Sequence, residues 1–173
     1  MPNQTIVIIG FMGCGKTTVG HEVARLLACR AVDLDSWIAE HERRSPTEII
    51  QQDGEAAFRR VETQALGEVL REAPAGSAMV VAVGGGAWTM PENRQLIAEH
   101  EGFTVWLDAS FEVCWRRIAP RQETRPLARS RKQARALYRA RRAVYELADA
   151  RIPVSDNDGA RRIATRVVSV IGR

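Results

Sequence analysis

Residues 10–17 read Gly10-Phe11-Met12-Gly13-Cys14-Gly15-Lys16-Thr17, which is the G-x-x-x-x-G-K-[ST] pattern of a phosphate-binding loop. Glycines let such a backbone curl until its N–H groups converge on phosphate oxygens. Gly13, Cys14, Gly15 and Thr18 belong to that cradle. Lys16 is expected along the β- and γ-phosphates as a point charge, and the Thr17 hydroxyl on Mg²⁺. Lys16 is one of only two lysines among 25 basic residues; the others are arginine, so a lysine here is a functional choice. This chemistry points to a nucleotide phosphate with Mg²⁺ and leaves ATPase, GTPase, transporter motor and kinase open.

Three more groups carry chemistry. Asp33-Leu34-Asp35 follows a short apolar run. Two carboxylates at a strand end can divide the work of phosphoryl transfer, one holding Mg²⁺ through water and the other taking or orienting a hydroxyl proton. Strand alternation turns both to similar sides if the strand persists that far. Read alone, the pair is equally a helix cap and a solvated side chain. Gly84-Gly85-Gly86 is a tight turn or a floor that meets a small ligand by backbone. Arg59 and Glu62 are three apart and share a helix face. They form a surface salt bridge, or Arg59 grips a substrate carboxylate with two prongs while Glu62 orients it.

These groups need a scaffold that brings them together. Residues 5–9, Thr-Ile-Val-Ile-Ile, read as a strand buried on both faces. Apolar spacing after the loop predicts a helix over 17–27. A short strand at 31–32, a helix from about 36, a helix over 55–71 and a buried strand over 78–83 follow. Next come a helix over 91–99, a strand over 104–107 and a helix capped by Ser110. Residues 119–131 read as a loop, followed by a long helix to about 147. A short strand at 152–154, where Pro153 favours a sheet edge, precedes a final helix over 160–170. Strands alternating with helices imply an α/β fold with a parallel sheet. Ligands gather beyond the carboxyl ends of such strands, where the phosphate loop, the Asp pair, the glycine triplet and the arginine-rich loop all fall.

The bulk numbers fit one domain of 173 residues carrying a net charge of +4. No apolar run is long enough for a membrane span and no signal peptide is visible, so a cytoplasmic protein is expected. Cys14, Cys29 and Cys114 have no metal or disulfide spacing; Cys14 is read first as a small filler of the loop and second as a redox site. Ten arginines and Lys132 lie between Arg116 and Arg142 against one acid, Glu123. That block is read first as a segment closing over a polyphosphate, then as a solvated face, and last as a nucleic-acid surface.

The phosphate loop, Asp33-Leu34-Asp35, the segment Gly54-Glu55-Ala56-Ala57-Phe58-Arg59-Arg60-Val61-Glu62, Gly84-Gly85-Gly86-Ala87, Arg125-Pro126-Leu127 and residues 141–145 together resemble the shikimate kinases. The resemblance covers residues 5–170. It implies a three-layer P-loop kinase fold with a five-stranded parallel sheet flanked by helices. It also implies one kinase domain over 1–173, with a substrate-binding helical region at about 33–62 and a mobile lid at about 119–131. The implied reaction moves the ATP γ-phosphate to the 3-hydroxyl of shikimate, in chorismate and aromatic amino acid biosynthesis. By position, Asp35 contacts shikimate and serves as base or orienting group, Asp33 lies near Mg²⁺, and Arg59 and Arg141 hold the carboxylate. Gly84, Gly85 and Gly86 meet the ring, Gly85 through its backbone. Arg125 reaches the transferring phosphate from the lid, and Arg117 lies against the adenine.

Some positions depart from the family pattern. The lid is a few residues short, residues 155–158 form an acidic loop, and Arg142 beside Arg141 leaves open which is the second carboxylate ligand. The implied partners are shikimate and ATP, with no nucleic acid, no membrane and a monomeric state. Two other readings stay open: a kinase of another small acid such as gluconate or quinate, and a non-catalytic nucleotide-binding regulator. The regulator reading predicts loss of Lys16, Asp35 or Arg125, and all three are present.

Overall fold

The first strand sets the frame. β1 (Thr5–Ile9) is buried at every position, as its unbroken β-branched run requires of a strand covered on both faces. The structure, a computed structural model, describes residues 4–73, 78–120 and 130–172. β1 is the centre of a five-stranded sheet with the order β2-β3-β1-β4-β5. The other strands are β2 (Arg30–Asp33), β3 (Met79–Ala82), β4 (Phe103–Ala109) and β5 (Ala150–Val154). All four pairings are parallel. Every strand therefore ends on the same side, and the chain reverses its direction of travel across the sheet at β1. That reversal opens a crevice above the end of β1.

The helices among the described residues are α1 (Lys16–Leu27), α2 (Leu34–Glu42), α3 (Pro46–Asp53), α4 (Glu55–Arg71), α5 (Pro91–Glu99), α6 (Phe111–Ile118), α7 (Arg131–Tyr145) and α8 (Ala160–Ile171). A 3₁₀ turn, Ala87–Thr89, follows β3. α1 packs on α8 and on the sheet, while α4 packs on α2, α3 and α5. The expected α/β architecture with a five-stranded parallel sheet is the one observed. Residues 121–129, the centre of the expected lid, lie outside the described residues.

Three local departures from the sequence reading bear on the site. β2 stops at Asp33, whose carboxylate accepts the Ser36 N–H at 3.0 Å and caps α2. Asp35 therefore sits in the first turn of a helix, and strand alternation does not place it. α3 was not anticipated, although its signal is present. Ser45 and Glu48 form a reciprocal capping box and Pro46 takes the first helical position. β4 runs two residues beyond its expected end, which carries Asp108 to the rim of the sheet. The edge position read from Pro153 holds, because β5 is the last strand in the order.

The exit from β1 is the tightest point of the frame. Gly10 has φ 144°, and a Cβ there would lie 2.8 Å from the Leu107 carbonyl oxygen of β4 and 2.9 Å from the Cys14 sulfur. Neither neighbour is a flexible tip, so the chain turns off the sheet here only with glycine. Gly10→Ala should lower stability by about 2 kcal/mol, read as a reduced urea midpoint. An unchanged midpoint would show that the β1 exit relaxes freely.

Candidate active site

The donor side of the crevice is built by backbone. Gly13 and Gly15 hold positive φ values of 80° and 103°, which turn the loop into α1 so that the N-terminus of α1 faces the crevice. Lys16 Nζ donates to the Gly10 carbonyl at 2.9 Å and the Phe11 carbonyl at 3.1 Å. The ammonium is thus held over the loop's concavity, where incoming phosphate oxygens would meet it. Cys14 is buried with its sulfur against Gly10, the position of a filler. Cys114 is buried as well, and burial first, with Cys14 nearby second, pushes its thiol up to about 12. A thiol held that far toward its neutral form is a poor nucleophile.

Thr17 Oγ1 donates to Asp33 Oδ2 at 2.5 Å. Two hard oxygens thus stand side by side at the mouth of the loop. Among the described residues no cluster of three or more His, Cys, Asp or Glu could hold a metal. A cation here must complete its shell from phosphate oxygens and water, which is how Mg²⁺ binds beside nucleotides. The residues present therefore fit Mg²⁺.

A cavity of ≈ 630 Å³ runs from this mouth in both directions. At one end it reaches Arg117, Ile118, Asp158, Ala160 and Ile163. Arg117 donates to the Gly13 carbonyl at 3.2 Å, so its guanidinium lies along the phosphate loop. The acidic loop beside it is internally tied. Asp158 accepts the Ser155 N–H and hydroxyl and pairs with Arg166, and these bonds hold its carboxyl down at about 2. At the other end the cavity reaches Asp35, Gly84 and Gly85.

The acceptor side rests on a buried carboxylate. Glu62, on α4, is 0% exposed. Its Oε2 accepts from Arg59 Nη1 at 2.6 Å, while Oε1 is buried without a hydrogen-bond partner. A Cβ on Gly84 would lie 2.7 Å from that Oε1 and 3.2 Å from Asp35 Oδ1, so Asp35 and Glu62 flank the same glycine. Arg59 lies across Gly86, where a Cβ would be 2.7 Å from its guanidinium carbon. A second arginine enters from α7. Arg141 is buried, and its Nη1 would be 3.4 Å from a Cβ on Gly85. Tyr145, one turn on, donates its hydroxyl to the Gly85 carbonyl at 2.5 Å. The glycine triplet is thus a bare floor between the partly buried Arg59 and the buried Arg141. Burial pulls Arg141 below its usual value, whereas at the partly buried Arg59 two carboxylates more than offset burial.

Arg141 and Arg142 leave α7 in different directions. Arg142 turns away and pairs with both oxygens of Asp108, at 2.7 and 3.1 Å. Its guanidinium also lies 5.0 Å from the Trp106 ring centre. Asp108 was not among the expected residues; only its place at a strand end could have marked it. Much of the arginine block is spent on pairing. Arg131 and Arg135 both hold Glu112, and Arg116 holds Asp156. Of the expected site residues, the structure brings together Gly13, Cys14, Gly15, Lys16, Thr17, Thr18, Asp33, Asp35, Gly84, Gly85 and Arg117 around one cavity. Arg59, Glu62, Gly86 and Arg141 stand against its acceptor end. Arg125 lies outside the described residues.

Known proteins resemble this chain over nearly its whole length. The family model described as shikimate kinase matches residues 12–172. A shikimate kinase of Ruegeria pomeroyi is 37% identical over 172 residues, covering 98% of this chain and 85% of that protein. One of Cereibacter sphaeroides is 40% identical over 168 residues, covering 95% and 80%. The solved structure of Acinetobacter baumannii shikimate kinase in complex with shikimate superposes with a TM-score of 0.86 at 32% identity, covering 97% of this chain and 92% of that one.

The buried carboxylate makes stability depend on pH. Burial pushes the Glu62 carboxyl above its ordinary 4.5, and Asp35 adds to this; Arg59 opposes it without cancelling it. The unfolded chain releases this proton earlier than the native one. The contribution of Glu62 is therefore full below 4.5 and is lost as pH rises through the raised value. The stability advantage of the wild type over Glu62→Gln should shrink as pH rises above 4.5 in urea unfolding. An advantage that grows over that rise would show that the Arg59 pairing dominates instead.

Proposed function

Since the chain belongs to the shikimate kinase family, we propose that Lys16 and Thr17 hold the phosphate donor while Asp35, Arg59 and Arg141 hold the acceptor. The enzyme transfers phosphate from ATP to the 3-hydroxyl of shikimate, a step in aromatic amino acid biosynthesis. The observation that carries the residue assignment is one continuous cavity with the phosphate loop at its centre and Asp35, Gly84 and Gly85 at one end.

Lys16 leaves its two loop carbonyls for β- and γ-phosphate oxygens. The loop N–H groups take the remaining charge, and they are already in place before the nucleotide arrives. Thr17 and Asp33 would hold Mg²⁺, which when bound neutralises charge on the β- and γ-oxygens. Arg117 packs against the adenine at the far end of the cavity. At the acceptor end, Arg59 and Arg141 present two planar forks to one carboxylate, which fits them better than two ammonium groups would. Glu62 fixes the rotamer of Arg59. The ring rests on the glycine floor, which brings its hydroxyl toward Asp35. Asp35 orients that hydroxyl in line with the γ-phosphate and takes its proton. The transition state is loose, so alignment is worth more than basicity. Arg125 keeps the role implied by the resemblance, charge stabilisation at the transferring phosphate. The chain is read as a single kinase domain over 1–173, monomeric and cytoplasmic, with no nucleic-acid partner. Among the described residues no helix is long and apolar enough to cross a membrane.

An ADP-release assay over shikimate, quinate, gluconate and no acid tests the assignment. Turnover is expected with shikimate, and turnover with gluconate alone would overturn the reading. Asp35→Asn should lower kcat by at least about 100-fold with ATP binding intact; an active variant removes Asp35 from its role. Arg59→Lys should raise the KM for shikimate about tenfold with little change in kcat, because the two-pronged grip is lost. An unchanged KM would return Arg59 to a structural salt bridge.

A further inference from the structure

Arg59 is held by two carboxylates of different character. Glu62 is fully buried and fixed. Glu55 is 49% exposed, and its Oε1 accepts from Arg59 Nη2 at 3.1 Å. The contact is thus made on the opposite prong of the guanidinium from Glu62. The charge of Glu55 also reaches Arg141. The partly buried Arg59 and the buried Arg141 share this end of the cavity with the buried Glu62 and with one exposed carboxylate that is free to move. That carboxylate is Glu55.

We infer that Glu55 is an internal competitor for the acceptor site, occupying the Arg59 prong that the substrate carboxylate takes and thereby setting the KM for the acid. The inference rests on the reading of Arg59 as the carboxylate ligand. Glu55 opens α4, where a carboxylate is favoured by the unsatisfied N–H groups of the first turn. It can therefore swing off Arg59 without leaving a charge stranded, and its exposure puts water within reach. The apparent affinity for the acid is then the intrinsic affinity scaled by the fraction of molecules in which Glu55 has swung away. The device also acts on specificity. A ligand must bring a negative charge to replace the one it expels, so a neutral analogue leaves the two arginines undercompensated.

The sign of one measurement separates this role from a structural one. A residue that merely helps hold Arg59 in place would, on removal, loosen the site and raise the KM. A competitor, on removal, lowers it. Glu55→Gln should lower the KM for shikimate by about two- to fivefold, the scale of one half-exposed ion pair, with kcat and the KM for ATP unchanged. Glu55→Asp, too short to reach Arg59, should lower it similarly while keeping the charge at the start of α4. Direct titration of shikimate into each variant by calorimetry should give the same change in Kd. A KM that is unchanged or raised in both variants overturns the inference. Arg59→Lys is run alongside. If its KM for shikimate is unchanged, the reading of Arg59 itself has failed. If it rises while the Glu55 variants do not fall, only the competitor role has.

Discussion

The exit of β1 is the constraint on which the molecule turns. A strand buried on both faces can stand only at the middle of a covered parallel sheet, and it must leave that sheet at its carboxyl end. Here it does so through Gly10, pressed between the Leu107 carbonyl of β4 and the sulfur of Cys14. No side chain fits, so the backbone itself lines the crevice. The parallel pairing of β3 and β4 with β1 brings two further strand ends to the same side, and those ends carry the glycine floor and Asp108. The donor site follows from the sheet, because an inward-facing helix N-terminus is what a tight turn off a central parallel strand produces.

The acceptor half follows a different rule. Its groups lie on α2, α4, α7 and the β3 turn, and electrostatics more than hydrogen-bonded strands relates them. Two arginines removed from water need anions. The buried Glu62 supplies one to Arg59, and the exposed Glu55 supplies a second. The glycine triplet makes this possible, since at Gly84 and Gly86 a side chain would strike Glu62 or Arg59. Two arginines over a floor of bare backbone make this end of the cavity suited to a small anion.

The orientation of α7 is set by anchors on its outer face and near its end. Arg141 reaches the site because its neighbour is clamped elsewhere. Asp108 holds Arg142 with both oxygens and also accepts from Arg151, Tyr138 donates to the Ala109 carbonyl at 2.9 Å, and Trp88 donates to the Val144 carbonyl at 2.9 Å. Three bonds to three strand-end or turn positions fix the helix about its axis. With that rotation set, adjacent arginines point in different directions, one into the site and one across Trp106.

Much of this was legible in the sequence. The phosphate loop, the flanking strand and the helix after it are contiguous, and local backbone chemistry dictates them: glycine where φ is positive, lysine and threonine at fixed offsets. Arg59 and Glu62 could be paired because helix geometry brings residues three apart together. What could not be read depends on long-range placement. Whether β2 persisted to Asp35 was decided by Asp33 capping α2. That Glu62 is fully buried while Arg59 keeps some exposure was decided by what packs over α4. The choice between Arg141 and Arg142, the role of Asp108 and the contact of Glu55 on Arg59 each need partners that stand close in space but apart in the chain or in depth. Sequence by itself determined the chemistry on offer, because residue type and short-range spacing carry it. Tertiary structure alone decided which charges are buried together, because burial is a property of the whole packed chain and sets how strongly each charge must be answered.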